Sequence, residues 1–399
     1  MPGIRSRKKL AKGFLFNNDA ELIRSGIEFF NTLVKLIDSA VHEIHLQTYI
    51  FSEDETGTRI SEALIRASRR GVKIFVLLDA YGSNNLASAF IDKMKDEKIE
   101  LRFFGRIFKK GRWHIGRRLH RKAIVIDGIT SVISGINISN NYNSLGGTTP
   151  WLDFGVIVKG EVSKRLHLLC AQSWLKIRFR SLSEKLIHRA QQKIEHSERQ
   201  IKIRVRQNDW KLGKNQVAQS YYQMIRLAEE SLIIVGGYFL PGRTGRKLIQ
   251  NASERGVAIQ LVVAESSDVG LMRNAMLYLY DWLLRNKVQI FEYKPSNVHG
   301  KGIVADKKIL SIGSYDLNAL STYSNIELNL DIDDHLIAGQ FNDLLEEIIA
   351  KDCKEIKEEI FKTRTGVTKR IGRWLAYRLV KSFFVLSIWF SKKDEDIYQ

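Results

Sequence analysis

Two short stretches of the chain carry the same reactive side chains at the same spacing. "LHRKAIVID" (119–127) holds His120, Lys122 and Asp127, and "VHGKGIVAD" (298–306) holds His299, Lys301 and Asp306. Both read His-x-Lys-x4-Asp within a run that is otherwise apolar, as a buried strand is. Side chains two residues apart on a strand share a face, so each copy presents an imidazole beside an ammonium. Two lysines repel a cation, and the pair of copies suits an anion whose phosphate oxygens the lysines can hold. A histidine on each side of a phosphodiester permits covalent catalysis: one attacks phosphorus while the other protonates the leaving alkoxide. The second then takes the proton of an incoming hydroxyl. This chemistry calls for no metal and no other cofactor. Asp127 and Asp306, at the strand ends, suit hydrogen bonding and salt bridging rather than proton transfer.

The elements that must position these residues recur as well. In the first half "GIEFFNTLVKLIDSA" leads into "EIHLQTYIF", then "GTRISEALIRASRRG" and "VKIFVLLDAYGS". In the second, "AQSYYQMIRLAEE" leads into "SLIIVGGYF", then "GRTGRKLIQNASERG" and "VAIQLVVAESSD". Helical runs alternating with apolar strands predict an α/β protein. The expected fold is two lobes related by a pseudo-twofold axis, each a mixed, mostly parallel sheet flanked by helices. Gly71 and Gly256 fall where left-handed helix C-caps are expected. Tyr49 and Tyr238 end matching strands. The expected divisions are a first lobe over 1–165, a basic helical connector over 166–205, a second lobe over 206–350 and a basic amphipathic tail over 351–399.

Composition bounds the partners. With 399 residues and 44% hydrophobic content the chain can bury two cores. Its formal charge of +19 favours nucleic acid, an anionic membrane surface or phosphate-bearing substrates. Cys170 and Cys353 exclude a disulfide framework and a cysteine-rich zinc site. In "VHEIHLQ", His42 and His45 lack the HExxH spacing and sit in a strand, so they read as structural. No secretory signal is evident, and no apolar run is long enough to span a bilayer.

With both motifs in place, the chain resembles the phospholipase D superfamily. "SGIN" (134–137) is similar to the superfamily's element after the first motif and "GSYD" (313–316) to that after the second. The resemblance covers roughly residues 20–345. It implies that Asp153 in "PWLDF" and Glu327 in "SNIELN" orient the two histidines, and that Asn137, Ser314 and Asn325 lie around the phosphate. The second copy departs at Asp316, where the superfamily carries Asn, with Asn318 two places on. An ionised Asp316 would repel phosphate unless it is protonated, turned away or replaced in its role by Asn318. By resemblance, His120 is the nucleophile and His299 the general acid/base, and the pseudo-symmetry leaves the reverse open.

Within the superfamily the chain is most similar to bacterial cardiolipin synthases of the type without N-terminal transmembrane helices. The implied reaction is transfer of a phosphatidyl group, through a phosphohistidine, to phosphatidylglycerol, giving cardiolipin and glycerol. Two basic segments fit a membrane partner. Residues 102–122 contain nine Lys/Arg and no acid, with Phe103, Phe104, Phe108 and Trp113 between them. The tail 370–391 reads as a helix with Arg370, Arg373, Arg378 and Lys381 on one side. Leu375, Ala376, Leu379, Phe383, Leu386 and Phe390 fall on the other, implying peripheral attachment to the bacterial cytoplasmic membrane. The alternative for the tail is docking on the protein's own core. The alternative functions are a phospholipase D hydrolase, a nuclease for which the basic loop would hold single-stranded nucleic acid, and a non-catalytic membrane binder. The preferred reading requires no nucleic acid.

Overall fold

The computed structural model describes residues 13–105, 108–109, 112–113, 117–175, 199–363 and 366–393, with no side chain described at 106–116, 360, 362–363 and 390–393. Residues 13–205 form one compact unit and residues 206–393 another.

The first unit alternates strand and helix: β1 (Asn18–Arg24), α1 (Ile27–Asp38), β2 (Glu43–Thr48), α2 (Glu55–Arg69), β3 (Lys73–Asp79), α3 (Ser88–Asp96) and β4 (Glu100–Phe104). A small antiparallel ribbon, β5 (Phe108–Lys109) and β6 (Arg112–Trp113), precedes β7 (Lys122–Ile126), β8 (Thr130–Ser134), β9 (Phe154–Gly160) and α4 (Glu161–Leu175). The main sheet runs β1-β9-β8-β7-β2-β3-β4. It is mixed, as expected, but parallel pairing is confined to β2-β3-β4. The remaining pairs are antiparallel, and of these β7 and β8 are joined by a short hairpin.

Sequence pattern explains the layers. Ile44, Leu46, Val76, Leu78, Ile124 and Ile126 point to one face and meet Phe30, Leu33, Ile60 and Leu64 of α1 and α2. Asp54 caps α2 by accepting from the Gly57 amide at 2.9 Å. Helix α4 covers the opposite face. Of the connector expected over 166–205, residues 166–175 belong to this helix, 176–198 lie outside the described residues, and 199–205 run into the strand that begins at Lys202.

The second unit repeats the plan with β10 (Lys202–Asp209), β11 (Lys214–Asn215), α5 (Gln216–Leu227), β12 (Ser231–Val235), α6 (Arg243–Glu254), β13 (Ala258–Ala264), α7 (Gly270–Arg285) and β14 (Val288–Tyr293). It continues with β15 (Gly302–Ala305), β16 (Ile309–Gly313), α8 (Ala319–Tyr323), β17 (Glu327–Asp333) and α9 (His335–Asp352). Sheet order is β11-β10-β17-β16-β15-β12-β13-β14-β18, with β18 (Cys353–Glu355) pairing antiparallel to β14. Here too β12-β13-β14 pair in parallel, and β15, β16 and β17 join antiparallel. Gly71 and Gly256 take left-handed φ of 91° and 89° behind α2 and α6, as the sequence pattern requires.

After α10 (Glu358–Thr363), the 27-residue α11 (Val367–Lys393) packs along α7. Val380 and Phe384 enter the core of this unit, and Tyr377 meets Tyr278 with ring centroids 4.9 Å apart. Ala376 is buried with them, rather than sharing the outer face with Leu375 and Leu379. The tail is therefore docked on its own core along one side. The other side leaves Ile371, Trp374, Leu375, Leu379, Phe383 and Leu386 exposed. The Phe390 side chain lies outside the described residues. Among the described residues, no helix is long and apolar enough to cross a membrane.

The motif aspartates tie each plan together. Asp127 and Asp306 sit in left-handed conformation (φ 54° and 52°) at the turns after β7 and β15. Aspartate tolerates this region better than most residues. Asp127 accepts from the amides of Val41, His42 and Glu43 at 2.8–2.9 Å. Asp306 accepts from those of Glu229, Glu230 and Ser231. Each carboxylate thus fastens the motif hairpin to the start of its neighbouring strand. Asp127→Ala removes three charge-assisted hydrogen bonds and should cost about 3 kcal/mol, read as a lower urea midpoint at unchanged m-value.

Candidate active site

The histidines lie just ahead of their strands, since β7 begins at Lys122 and β15 at Gly302. Alternation still sorts the first copy. The Arg121 guanidinium turns toward α4, donating to Gln47 Oε1 and to Ser173 Oγ. His120 and Lys122 share the other side, where Tyr49 lies. The Tyr49 and His120 rings are 5.1 Å apart, and Lys122 Nζ stands 5.3 Å over the Tyr49 ring. Lys122 Nζ also donates to the His120 carbonyl at 2.7 Å. In the second copy Lys301 Nζ donates to the His299 carbonyl in the same way. Each ammonium is therefore fixed to the backbone of its own histidine. Both lysines and His299 are buried.

Asn137 and Asp316 occupy equivalent places. Asn137 Oδ1 accepts from the Ile50 amide at 3.1 Å, and its amide group donates to Tyr142 Oη. Asp316 Oδ1 accepts from the Tyr238 amide at 3.2 Å, while Oδ2 faces Lys301 Nζ at 3.5 Å. Asp316 is thus buried and turned toward the lysine. Asn318 does not take its place. Its Oδ1 caps α8 by accepting from the Ser321 amide, and its Nδ2 donates to the Tyr238 carbonyl. A cap needs only an acceptor oxygen, which Asn supplies as well as Asp.

These hydrogen bonds also correct one correspondence. Ile50, not Tyr49, matches Tyr238, and Tyr49 matches Gly237. A one-residue slip turns the side chain to the other face. Tyr238 Oη accordingly donates to Asp268 at 2.7 Å. At Gly237 a Cβ would stand 2.7 Å from the Val298 carbonyl, so no aromatic ring can fill that place.

Asp153 and Glu327 are fully buried and held differently. Asp153 lies against Gly135, where a Cβ would stand 2.4 Å from its Oδ1. The matching residue in the second unit is Ser314, whose Oγ donates to Glu327 Oε2 at 2.5 Å. Asn325 Nδ2 donates to the other oxygen at 3.2 Å. The structure therefore brings Ser314, Asn325 and Glu327 together.

Sequence reasoning missed Asp79. Its carboxylate accepts from the Leu119 amide at 2.7 Å, next to the first motif histidine, and from the Tyr81 and Gly82 amides. Burial pushes its pKa up, opposed by Arg118 and those three amides. The signal was an acid closing the apolar run "VKIFVLLD". The matching residue in the second unit is Ala264.

This duplicated strand-and-hairpin plan, with His and Lys on one side of each motif, defines a two-motif phospholipase D-like fold. The family described as cardiolipin synthase, PLD-like domain, matches residues 33–164 and 221–349. Cardiolipin synthase B of Escherichia coli (strain K12) is 31% identical over 382 residues, covering 93% of this chain and 90% of that protein. A cardiolipin synthase of Alkalihalophilus pseudofirmus is 26% identical, covering 82% of this chain and 65% of that protein. The crystal structure of phosphatidylserine synthase from Haemophilus influenzae Rd KW20 superposes with a TM-score of 0.71 at 17% identity, over 98% of this chain and 99% of that one. The chain belongs to the cardiolipin synthase family of phospholipase D-like proteins, and it is a phosphatidyltransferase of the phospholipase D type.

The cradle at Gly135 can be tested directly. Gly135→Ala drives a methyl group into the Asp153 carboxylate and should cost about 1–3 kcal/mol, measured by urea unfolding. Ser314→Ala keeps the space but removes one donor to Glu327, and should cost about 1–3 kcal/mol through the buried acceptor left short of a partner.

Proposed function

We propose that the chain makes cardiolipin by transferring a phosphatidyl group between two phosphatidylglycerol molecules. The observation that carries this reading is the pair of His–Lys motifs, each lysine fixed to its own histidine's backbone, in a chain of this family. His120 attacks phosphorus, the P–O bond to glycerol breaks as a P–N bond forms, and His299 protonates the departing alkoxide. The hydroxyl of a second phosphatidylglycerol then attacks the phosphohistidine. Its proton passes to His299, the P–N bond breaks, and His120 is regenerated. Asp153 and Glu327 orient the two imidazoles and favour their charged forms.

Lys301 faces Asp316, which offsets its charge, whereas Asn137 at the equivalent place is neutral. This asymmetry supports Lys122 and Asn137 as the groups that hold the phosphoryl oxygens, and so His120 as the nucleophile. With phosphatidylglycerol vesicles, the wild-type chain should yield cardiolipin and glycerol, and His120→Ala should lose at least about a thousandfold in rate. Phosphatidic acid as the only product would mean hydrolysis, and cleavage of single-stranded DNA with lipid untouched would mean a nuclease. Asp316→Asn should lower KM for phosphatidylglycerol, because it frees the Lys301 charge. An unchanged KM would remove Asp316 from this account.

We infer further that the chain lies on the surface of the cytoplasmic membrane through the outer face of α11. The exposed apolar side chains run the length of the helix, with Arg378 and Lys381 exposed among them. The side chains of the basic loop at 106–116 lie outside the described residues, so α11 carries the inference. Removing α11 would also strip Val380 and Phe384 from the core, so substitutions on its outer face are the cleaner test. Leu379→Glu with Phe383→Glu should weaken co-sedimentation with phosphatidylglycerol vesicles by more than about tenfold, since each buried apolar side chain contributes about 1.5–3 kcal/mol. Unchanged sedimentation would refute a role for this face.

A further inference from the structure

The face of the first sheet beneath α4 holds polar side chains that the phosphatidyl transfer does not use. Strand alternation puts Glu43 and His45 on that face of β2, and α4 lowers His167 onto them. His167 Nε2 contacts Glu43 Oε1, and the two imidazole centroids are 5.4 Å apart. One donor atom from each of the three residues lies within 4.8 Å of the other two. His45 is 3% exposed and His167 6%. Nδ1 of each ring is buried without a hydrogen-bond partner among the described residues. A buried polar atom left unpaired is costly, so one on each of two neighbouring imidazoles needs a reason. The site is also shaped from outside. His45 stacks on Phe75 at 4.9 Å, and a Cβ at Gly128 would stand 3.1 Å from His167 Nδ1. Gly128 itself takes a left-handed φ of 68°. The hairpin turn after the first motif thus leaves room for this imidazole.

We propose that Glu43, His45 and His167 form a binding site for a divalent transition-metal ion of the zinc type, separate from the motif histidines. Two imidazoles and a carboxylate, with a fourth position left to water, are a donor set that zinc accepts. Magnesium and calcium require more oxygen ligands than this site offers. Donors around tetrahedral zinc stand about 3.3 Å apart for metal–nitrogen bonds of about 2.05 Å. Glu43 keeps 29% of its side-chain surface exposed, which gives an ion a route from solvent. The bound ion would join β2 to α4, the helix that also receives Arg121 of the motif strand through Ser173.

The test uses the full chain stripped with chelator and then titrated with zinc chloride by calorimetry, and with cobalt(II) by visible absorption. One equivalent per chain should bind, with a tetrahedral cobalt spectrum, and saturating zinc should raise the melting temperature. His45→Ala and His167→Ala should each abolish this uptake. Glu43→Gln, of the same shape, should weaken it by at least the ~10–100-fold typical of losing an outer partner of a metal ligand. His120→Ala should bind zinc as the wild type does. Absence of saturable one-to-one uptake by the wild type would overturn the proposal, as would unchanged uptake in the Glu43 and histidine variants. Where circular dichroism shows an alanine variant to be unfolded, Glu43→Gln decides.

Discussion

The capture of three backbone amides by one carboxylate is the constraint on which each unit's site depends. Asp127 grips the residues that begin β2, and β2 pairs with β7 in a register that sets Gln47 opposite Ala123. A shift of one residue would exchange the two faces of β7. Arg121 would then turn away from α4, and Lys122 would lose Tyr49. The aspartate works from a left-handed turn position, so its carboxylate points back along the sheet rather than outward. Asp306 repeats the arrangement against β12. The third residue of the motif is thus structural, and its conformation fixes the register that sets the first two on one side of the strand.

Duplication of the plan has not kept the two units chemically equal. Around His120 stand a tyrosine ring, a neutral asparagine and an aspartate that grips the preceding amide. The corresponding places in the second unit hold Gly237, Asp316 and Ala264. The Gly135–Asp153 pair becomes Ser314–Glu327, in which the serine hydroxyl bonds the longer acid in place of a close backbone approach. These differences leave Asn137 where the second unit sets Asp316 beside Lys301, and Asp79 where the second unit has Ala264, which favours distinct roles for two histidines that share a motif.

Much of this was legible in the sequence because it rests on local pattern. The motif spacing, the repeat, the helix-ending glycines and the amphipathic tail all follow from periodicities of two or 3.6 residues. What was not legible depends on pairing between distant segments. The sheets are less parallel than strand–helix alternation suggests, since hairpins after each motif add antiparallel strands that leave no helix between them. Tyr49 and Tyr238 align by letter, yet only the amide bonds to Asn137 and Asp316 reveal the one-residue offset. That His45 meets His167 was not legible either, since the two lie 122 positions apart, on a strand and on the helix that covers it. The swap of Asp316 and Asn318 was visible, but its harmlessness for the helix cap became clear only from the cap geometry.

The first sheet shows why a reactive strand can be buried without loss of order. Its α1–α2 face is a continuous apolar cluster, and such a face sets stability. The face beneath α4 is mixed: His45, Gln47 and Arg121 lie there, and Ser131 and Ser163 bond each other at 2.6 Å. Directional hydrogen bonds on this face hold Arg121 in one orientation, and the backbone around it cannot rotate without breaking them. Since Arg121 lies between His120 and Lys122, anchoring it on one side of the strand presents the other two on the opposite side. His120 and Lys122 thus lie on the same side of the motif strand as the apolar cluster, and the polar layer under α4 holds them there from the opposite side.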